Sequence, residues 1–256
     1  MKVFTNLTKI FIFPVYYLIH KNLLFGLIHK KFIKNFYYKN FVFNLNLKNI
    51  PLASRSSFIF KTYEYNDKKL VEKHINNENK CIIIGGGIGF IPTLAFHKSK
   101  NKILVFEINK IIINNLRKNL MQNNCKFTLF NNNLVLQNEP RTSNYFISED
   151  FLNTSQYDKK GKIEKVENIN IKKIFNFKEF NTLIIDGEGI EEYFLNNLNK
   201  INHIHYIIFE LHNNLFNLKQ VNSLFSKLKK NKFILVDKCF NSYFFKKKIQ
   251  IKYKEN

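Results

Sequence analysis

The sequence predicts an α/β fold: a seven-stranded, mostly parallel sheet with an antiparallel end strand and helices on both faces. Three observations predict it. From Asp67 onward, short apolar runs alternate with segments of helical period, the mark of a parallel sheet under covering helices. The runs are continuously apolar, as strands buried on both faces must be. Six of the eight glycines fall in two places, 85–87 with 89 and then 187 with 189, each cluster directly after or close behind such a run.

Asp67 is expected to cap a helix whose Leu70, Val71, His74 and Ile75 share one face. The first core strand is Cys81-Ile82-Ile83-Ile84, ending at the glycines. A second covers 103–106 and ends at Glu107; Ile112, Leu116 and Leu120 then recur every four residues, predicting a helix up to the Asn123-Asn124 stop. The third strand is 127–130. Residues 131–180 show weak periodicity and many Asn, with two short strands around 145–147 and 168–171. A hairpin-and-loop insertion on the substrate side fits that pattern. Order returns with a strand over 182–185, a helix carrying Ile190, Phe194, Leu195 and Leu198, and a strand over 206–209. A helix bearing Leu218, Val221, Leu224, Phe225 and Leu228 follows, then strands over 233–236 and 243–245. The last two are linked too closely for a parallel crossover, so they pair as an antiparallel hairpin or with a neighbour between them.

A length of 256 residues fits one catalytic domain, 63–256, preceded by a basic and apolar extension, 1–62. Hydrophobic content of 45% with 28 Phe and 12 Tyr excludes wholesale disorder. The net charge of +22, from 41 basic and 19 acidic residues, taken alone points to nucleic acid or anionic lipid. Yet Lys, Asn, Ile and Phe are in excess together, as A/T-rich codons supply them, and the basic residues are dispersed in short runs such as Lys246-Lys247-Lys248. Coding bias therefore accounts for the charge without a nucleic-acid partner.

Cys81, Cys125 and Cys239 lie far apart and are odd in number, which suggests neither a disulfide framework nor a zinc site, and a reducing, cytoplasmic setting. His203 and His205 have no third ligand at metal spacing, so no metal is expected. In the extension, the apolar run 10–19 stops at His20-Lys21, short of the roughly 20 residues a membrane span needs, and no small-residue cleavage site follows it. Leu23, Leu24, Leu27, Ile28 and Ile33, interleaved with His29, Lys30, Lys31 and Lys34, form the pattern of a basic amphipathic helix. Residues 9–34 either pack on the domain or attach to a membrane surface.

A glycine turn directly after a strand lets a ligand approach the backbone closely. A dinucleotide turn, G-x-G-x-x-G, would need its third glycine where Phe90 stands, and no Gly-Lys-Ser/Thr follows for a phosphate loop. Gly85, Gly87 and Gly89 instead spell G-x-G-x-G, a form resembling class I methyltransferases, whose cofactor S-adenosylmethionine has no pyrophosphate to seat. Glu107, ending the second strand, can accept hydrogen bonds from both hydroxyls of a ribose. The turn and Glu107 are together expected to hold the cofactor.

Asp186, Glu188 and Glu191 come straight after the fourth strand, where open α/β sheets place their ligand crevice. Gly187 and Gly189 free the loop to aim side chains inward. Glu191 falls in the first turn of the next helix, where the dipole favours an acid with or without a functional role. Together with the glycine turn, Tyr63-Glu64, Val105-Phe106-Glu107-Ile108-Asn109, the stretch 119–124, Ile185-Asp186-Gly187-Glu188-Gly189-Ile190-Glu191 and Ile208-Phe209-Glu210-Leu211-His212 resemble the FkbM-type methyltransferases over roughly three quarters of the chain. The more specific part is D-x-E-G-x-E with E-x-H after the fifth strand. The resemblance implies a Rossmann-like fold, S-adenosylmethionine as cofactor, and O-methylation of a sugar, glycan or secondary-metabolite hydroxyl. One departure stands out: family members commonly carry an acid two residues before the first glycine, and here that position is Ile83.

Methyl transfer from a sulfonium is an in-line displacement, so the protein must hold the acceptor oxygen near attack distance and exclude water. A base must also take the hydroxyl proton. Asp186, Glu188, Glu210 and His212 end adjacent strands and can converge on one crevice. Glu188 or His212 is the expected base, and Asp186 a positioning group beside the methyl donor that also touches the cofactor. Two other readings compete: a non-catalytic binding protein that keeps the fold, raised by Ile83, and ribose O-methylation of a nucleic acid. Base methylation is disfavoured, because Pro14, Pro51, Pro92 and Pro140 supply neither an Asn/Asp-Pro-Pro-aromatic loop nor a Pro-Cys nucleophile.

Overall fold

The computed structural model describes residues 23–45, 50, 52–147, 162–187, 189–212 and 215–248; the apolar run 10–19 and Glu188 lie outside them. The chain begins with α1 (Leu23–Phe32), the hairpin β1 (Asn35–Tyr38) and β2 (Phe41–Asn44), α2 (Leu52–Ile59) and α3 (Tyr65–His74). There follow β3 (Cys81–Ile84), α4 (Phe90–Ser99), β4 (Ile103–Phe106), α5 (Ile113–Gln122) and β5 (Phe127–Phe130). After β6 (Asn133–Val135), β7 (Thr142–Ile147) and β8 (Lys162–Asn170) come β9 (Thr182–Ile185), α6 (Glu191–Asn196) and β10 (Tyr206–Glu210). The last elements are α7 (Leu218–Lys230), β11 (Phe233–Cys239) and β12 (Ser242–Lys247).

Seven strands form the main sheet in the order β11-β12-β10-β9-β3-β4-β5. The pairs β3–β4, β4–β5, β3–β9 and β9–β10 are parallel. Strand β12 runs antiparallel to both β10 and β11, so the antiparallel strand stands at that end of the sheet, one place in from its edge. The link after β11 is too short for a parallel crossover, and of the two arrangements it allows the hairpin is the one found. The fold is thus the α/β, Rossmann-like arrangement that the sequence predicts.

Alternate strand residues point to opposite faces, and both faces are covered. Ile83 and Val105 meet Leu70, Leu94 and Leu116 of α3, α4 and α5 on one face. On the other, Ile82, Ile84 and Leu104 belong to a cluster with Phe194, Leu224 and Leu228 from α6 and α7. Burial of both faces is why these strands read as unbroken apolar runs.

Part of the segment expected as an extension belongs to this core. Phe36 and Phe43 of the hairpin are buried with the first face, their ring centroids 5.5 and 5.4 Å from that of Phe90. Two asparagines of α5 and its end bind the hairpin's backbone: Asn119 Oδ1 accepts from Asn44 N at 2.8 Å, and Asn123 Oδ1 from Val42 N at 3.0 Å. In α1, Leu27 and Ile28 are exposed. Among the described residues no helix is long and apolar enough to cross a membrane.

Residues 131–180 do hold extra strands: β7 and β8 pair antiparallel, and β6 joins β8 in parallel, giving a small three-stranded sheet. One local expectation fails. Asp67 does not cap a helix, because α3 starts two residues earlier behind Glu64, which enters it in the left-handed region (φ 46, ψ 39). Asp67 therefore lies inside the first turn with its carboxylate buried.

Candidate functional site

The sheet changes direction at β3: the chain winds outward through β4 and β5 on one side and through β9 and β10 on the other. Such a switch point leaves a crevice at the carboxyl ends of the two central strands. A cavity of about 770 Å³ opens there, lined by the ends of β3, β4, β9 and β10, the start of α3 and the small sheet. Backbone hydrogen bonds fix the strand ends in step: Gly85 N donates to Phe106 O and Asp186 N to Ile84 O, each at 3.0 Å.

The glycines of the turn are required for different reasons. At Gly85 (φ +85) a Cβ would lie 1.8 Å from the Asp186 carbonyl oxygen, so glycine is what lets β3 and β9 end side by side. Gly87 (φ +52) faces the cavity, where a Cβ would meet Glu64 Oε1 and Tyr63 Oη at 3.5 Å. Gly89 (φ +92) starts α4 and is buried against Leu116. It does not line the cavity, so its contribution to any ligand is through the shape of the turn.

Glu107 joins the turn to the cavity wall. Its Oε2 accepts from Gly87 N at 3.0 Å and its Oε1 from Asn109 N at 2.8 Å. The residue is 7% exposed. Burial raises its pKa, while these backbone N–H groups pull it back. The Gly86 and Ile108 N–H groups also act on it, so a ligand hydroxyl would share the carboxylate's remaining acceptor capacity with them.

Opposite the turn, three of the expected residues converge: ligand atoms of Asp186, Glu210 and His212 all lie within 4.8 Å of one another. His212 Nε2 is 3.6 Å from Asp186 Oδ1, and its Nδ1 is 3.4 Å from Oε1 of Glu191. Glu191 is fully buried at the start of α6, and the same Oε1 accepts from Gly187 N at 3.2 Å. Asn241, in the turn between β11 and β12, donates to Glu210 Oε1 and accepts from Asn66 Nδ2. Burial first, then the charge of Asp186, pushes Glu210 up to about 7, with His212 pulling the other way.

Two further carboxyls line the cavity from the start of α3, Glu64 and Asp67. Glu64 is pushed up to about 8, by burial and then by Asp186, although part of its surface opens on the cavity. Asp67 is raised well above the usual carboxylate range by burial, then by Glu210 and Asp186. Neither of its oxygens makes a well-formed hydrogen bond among the described residues. Sequence reasoning took Asp67 for a helix cap and did not single out Asn241 at all. An acid three residues after Glu64 at a helix start was the only available signal, and it is shared with ordinary caps. Ile83 is 1% exposed and packs in the core beneath α3 and α4, so it does not reach the cavity.

No protein-family model matches the chain, and no curated protein matches it. Solved structures do. The precorrin-6y C5,15-methyltransferase of Geobacter metallireducens is similar at 10% identity and a TM-score of 0.42, over 70% of this chain and 84% of that one. The ribosomal protein L11 methylase of Lactobacillus delbrueckii is similar at 13% identity and 0.44, over 71% and 77%. The tRNA methyltransferase TrmI of Aquifex aeolicus is similar at 13% identity and 0.43, over 72% and 68%.

Proposed function

We propose that the protein is an S-adenosylmethionine-dependent methyltransferase of the FkbM type, acting on a hydroxyl of a sugar, glycan or secondary metabolite. One observation carries this reading: Glu107, bound to the Gly87 backbone, shares a single cavity with the Asp186, Glu210 and His212 cluster. The unit proposed to do so is residues 63–256, with the hairpin 35–44 packed against it.

The residues present fit the cofactor. Gly87 offers bare backbone to the cavity, and Glu107 has lone pairs for the ribose hydroxyls. The cationic methionine end needs carboxylates; Ile83 supplies none, and Glu64 and Asp67 stand at the same cavity instead. When bound, the cofactor supplies an electrophilic methyl group on a sulfonium. The chain's share is to position the acceptor oxygen, exclude water and remove a proton.

His212 is the described residue best placed to receive that proton. Its Nδ1 lies 3.4 Å from the buried Glu191 carboxylate, and its Nε2 lies 3.6 Å from Asp186 Oδ1 at the cavity. The Asn241 amide steadies Glu210 next to it. A transfer assay with labelled cofactor over a panel of glycans and lipids tests the reading. His212→Ala is expected to lower kcat by about 10²- to 10⁴-fold, with cofactor affinity changed only a few-fold. Intact turnover in both His212→Ala and Glu188→Gln, with cofactor still bound, sinks the assignment.

A further inference from the structure

The chain carries 41 Lys and Arg, yet among the described residues none of them lines this cavity. Among the described residues five carboxyl groups do, Glu64, Asp67, Glu107, Asp186 and Glu210, with His212 as the one basic side chain. Like charges gathered in a partly buried space repel strongly unless a cation joins them. The proposed cofactor brings a single net positive charge, which the carboxylates at the glycine turn and the start of α3 can balance. The far side, at the ends of β9 and β10, is left with Asp186 and Glu210 side by side.

We infer that Asp186, Glu210 and His212 hold a divalent metal ion. Three observations support the site. The three ligand atoms lie within 4.8 Å of one another, close enough to share one ion after small side-chain adjustments. Partners for such ligands stand nearby: Glu191, 0% exposed, has its Oε1 3.4 Å from His212 Nδ1, a charge contact and not a formed hydrogen bond, and Asn241 donates to Glu210. A metal-bound imidazole characteristically gives its other N–H to a carboxylate, and ligating carboxylates are themselves hydrogen-bonded. Lastly, Asp67, 2% exposed and without a well-formed hydrogen bond among the described residues, borders the same cavity close to Glu210.

Two carboxylates with one imidazole suit a first-row ion such as Mn²⁺ or Fe²⁺ better than Mg²⁺ or Ca²⁺, whose sites are built from oxygen. Three protein ligands leave coordination positions open, and the acceptor's hydroxyl oxygen takes one. The inference deepens the methyl-transfer reading, rests on it for the acceptor, and changes one step. The ion makes the hydroxyl acidic, with His212 Nε2 as its ligand. The O–H bond breaks with its proton passing to a cavity carboxylate, and the O–CH₃ bond forms as the S–CH₃ bond breaks. The ligands come from two strand ends instead of one short motif, so no metal-ligand spacing marks them in the sequence.

Calorimetric titration of MnCl₂ into the full chain without cofactor tests the site, with circular dichroism to verify that each variant folds. One saturable Mn²⁺ site is expected, weakened at least about tenfold by Glu210→Gln and by His212→Ala. Glu191→Gln, which keeps the buried volume, is expected to weaken it about 10- to 100-fold. Glu167→Gln, on the exposed face of β8, leaves it unchanged. Absence of saturable binding, or binding indifferent to the first three substitutions, overturns the site. A parallel titration of S-adenosylmethionine in chelator separates the two claims. Cofactor binding without Mn²⁺ binding removes the ion and keeps the methyltransferase; Mn²⁺ binding without cofactor binding does the reverse.

Discussion

Glu64 is an acid held largely in its neutral form at the mouth of a site that would take a cationic ligand. Its pKa of about 8 arises from burial and from Asp186. A cation favours the ionised carboxylate, so S-adenosylmethionine affinity should rise between about pH 6 and pH 8, as Glu210 and then Glu64 lose protons. Glu64→Gln should flatten that rise, read by titration at the two pH values; an unchanged slope would place the linked proton elsewhere. At this scale the sequence was legible where chemistry sits at strand ends. Glu107, Asp186, Glu210 and His212 each follow an apolar run, and all four line the cavity. Gly89 opens α4 and does not line the cavity, a distinction that spacing cannot make, since a glycine that faces a ligand and one that opens a helix look alike in sequence. Asp67 was misread because a buried acid and a capping acid occupy nearly the same place in a sequence.

The hairpin of β1 and β2 is latched to α5 by amides. Asn119, fully buried, accepts from Asn44 N and donates to Ile88 O at 2.8 Å, which ties the hairpin to the glycine turn as well. Asn119→Ala would leave buried backbone groups without partners and should lower the unfolding free energy by about 1–3 kcal/mol. Urea denaturation measures it; a loss below about 0.5 kcal/mol would mean that water replaces the amide. The hairpin itself was not legible. Its strands are four residues each, joined at Lys39-Asn40 with Lys39 in the left-handed region. That turn lacks the Asn-Gly signal that usually announces a hairpin. The strands β3, β4 and β9 were legible to the residue, since burial on both faces makes each an almost unbroken apolar run. Phe90, which excluded a dinucleotide turn, proves to be the ring on which the hairpin packs.

Across the whole molecule, charge is divided between a strongly basic chain and a cavity lined by acids. That division has a consequence for stability. Glu64 and Glu210 have native pKa values of about 8 and about 7, against an ordinary 4.5. Between those limits the native state binds more protons than the unfolded state, so their contribution is full below about pH 4.5 and is lost as pH rises through 7 and 8. The ligand-free protein should therefore show a falling Tm from pH 5 to pH 8 in scanning calorimetry, less steeply in Glu64→Gln; a rising Tm would mean that these carboxyls ionise freely. Net charge alone gave no hint of the acidic cavity, because counting charges is blind to where the fold puts them. The central claim is that the turn at Gly85 and Gly87, with Glu107, holds S-adenosylmethionine. Titration of that cofactor into the full chain and into Glu107→Gln tests it most directly. One-site binding, weakened about tenfold or more by the substitution, is the predicted result. No binding to the unaltered chain, or equal binding to both, would contradict it.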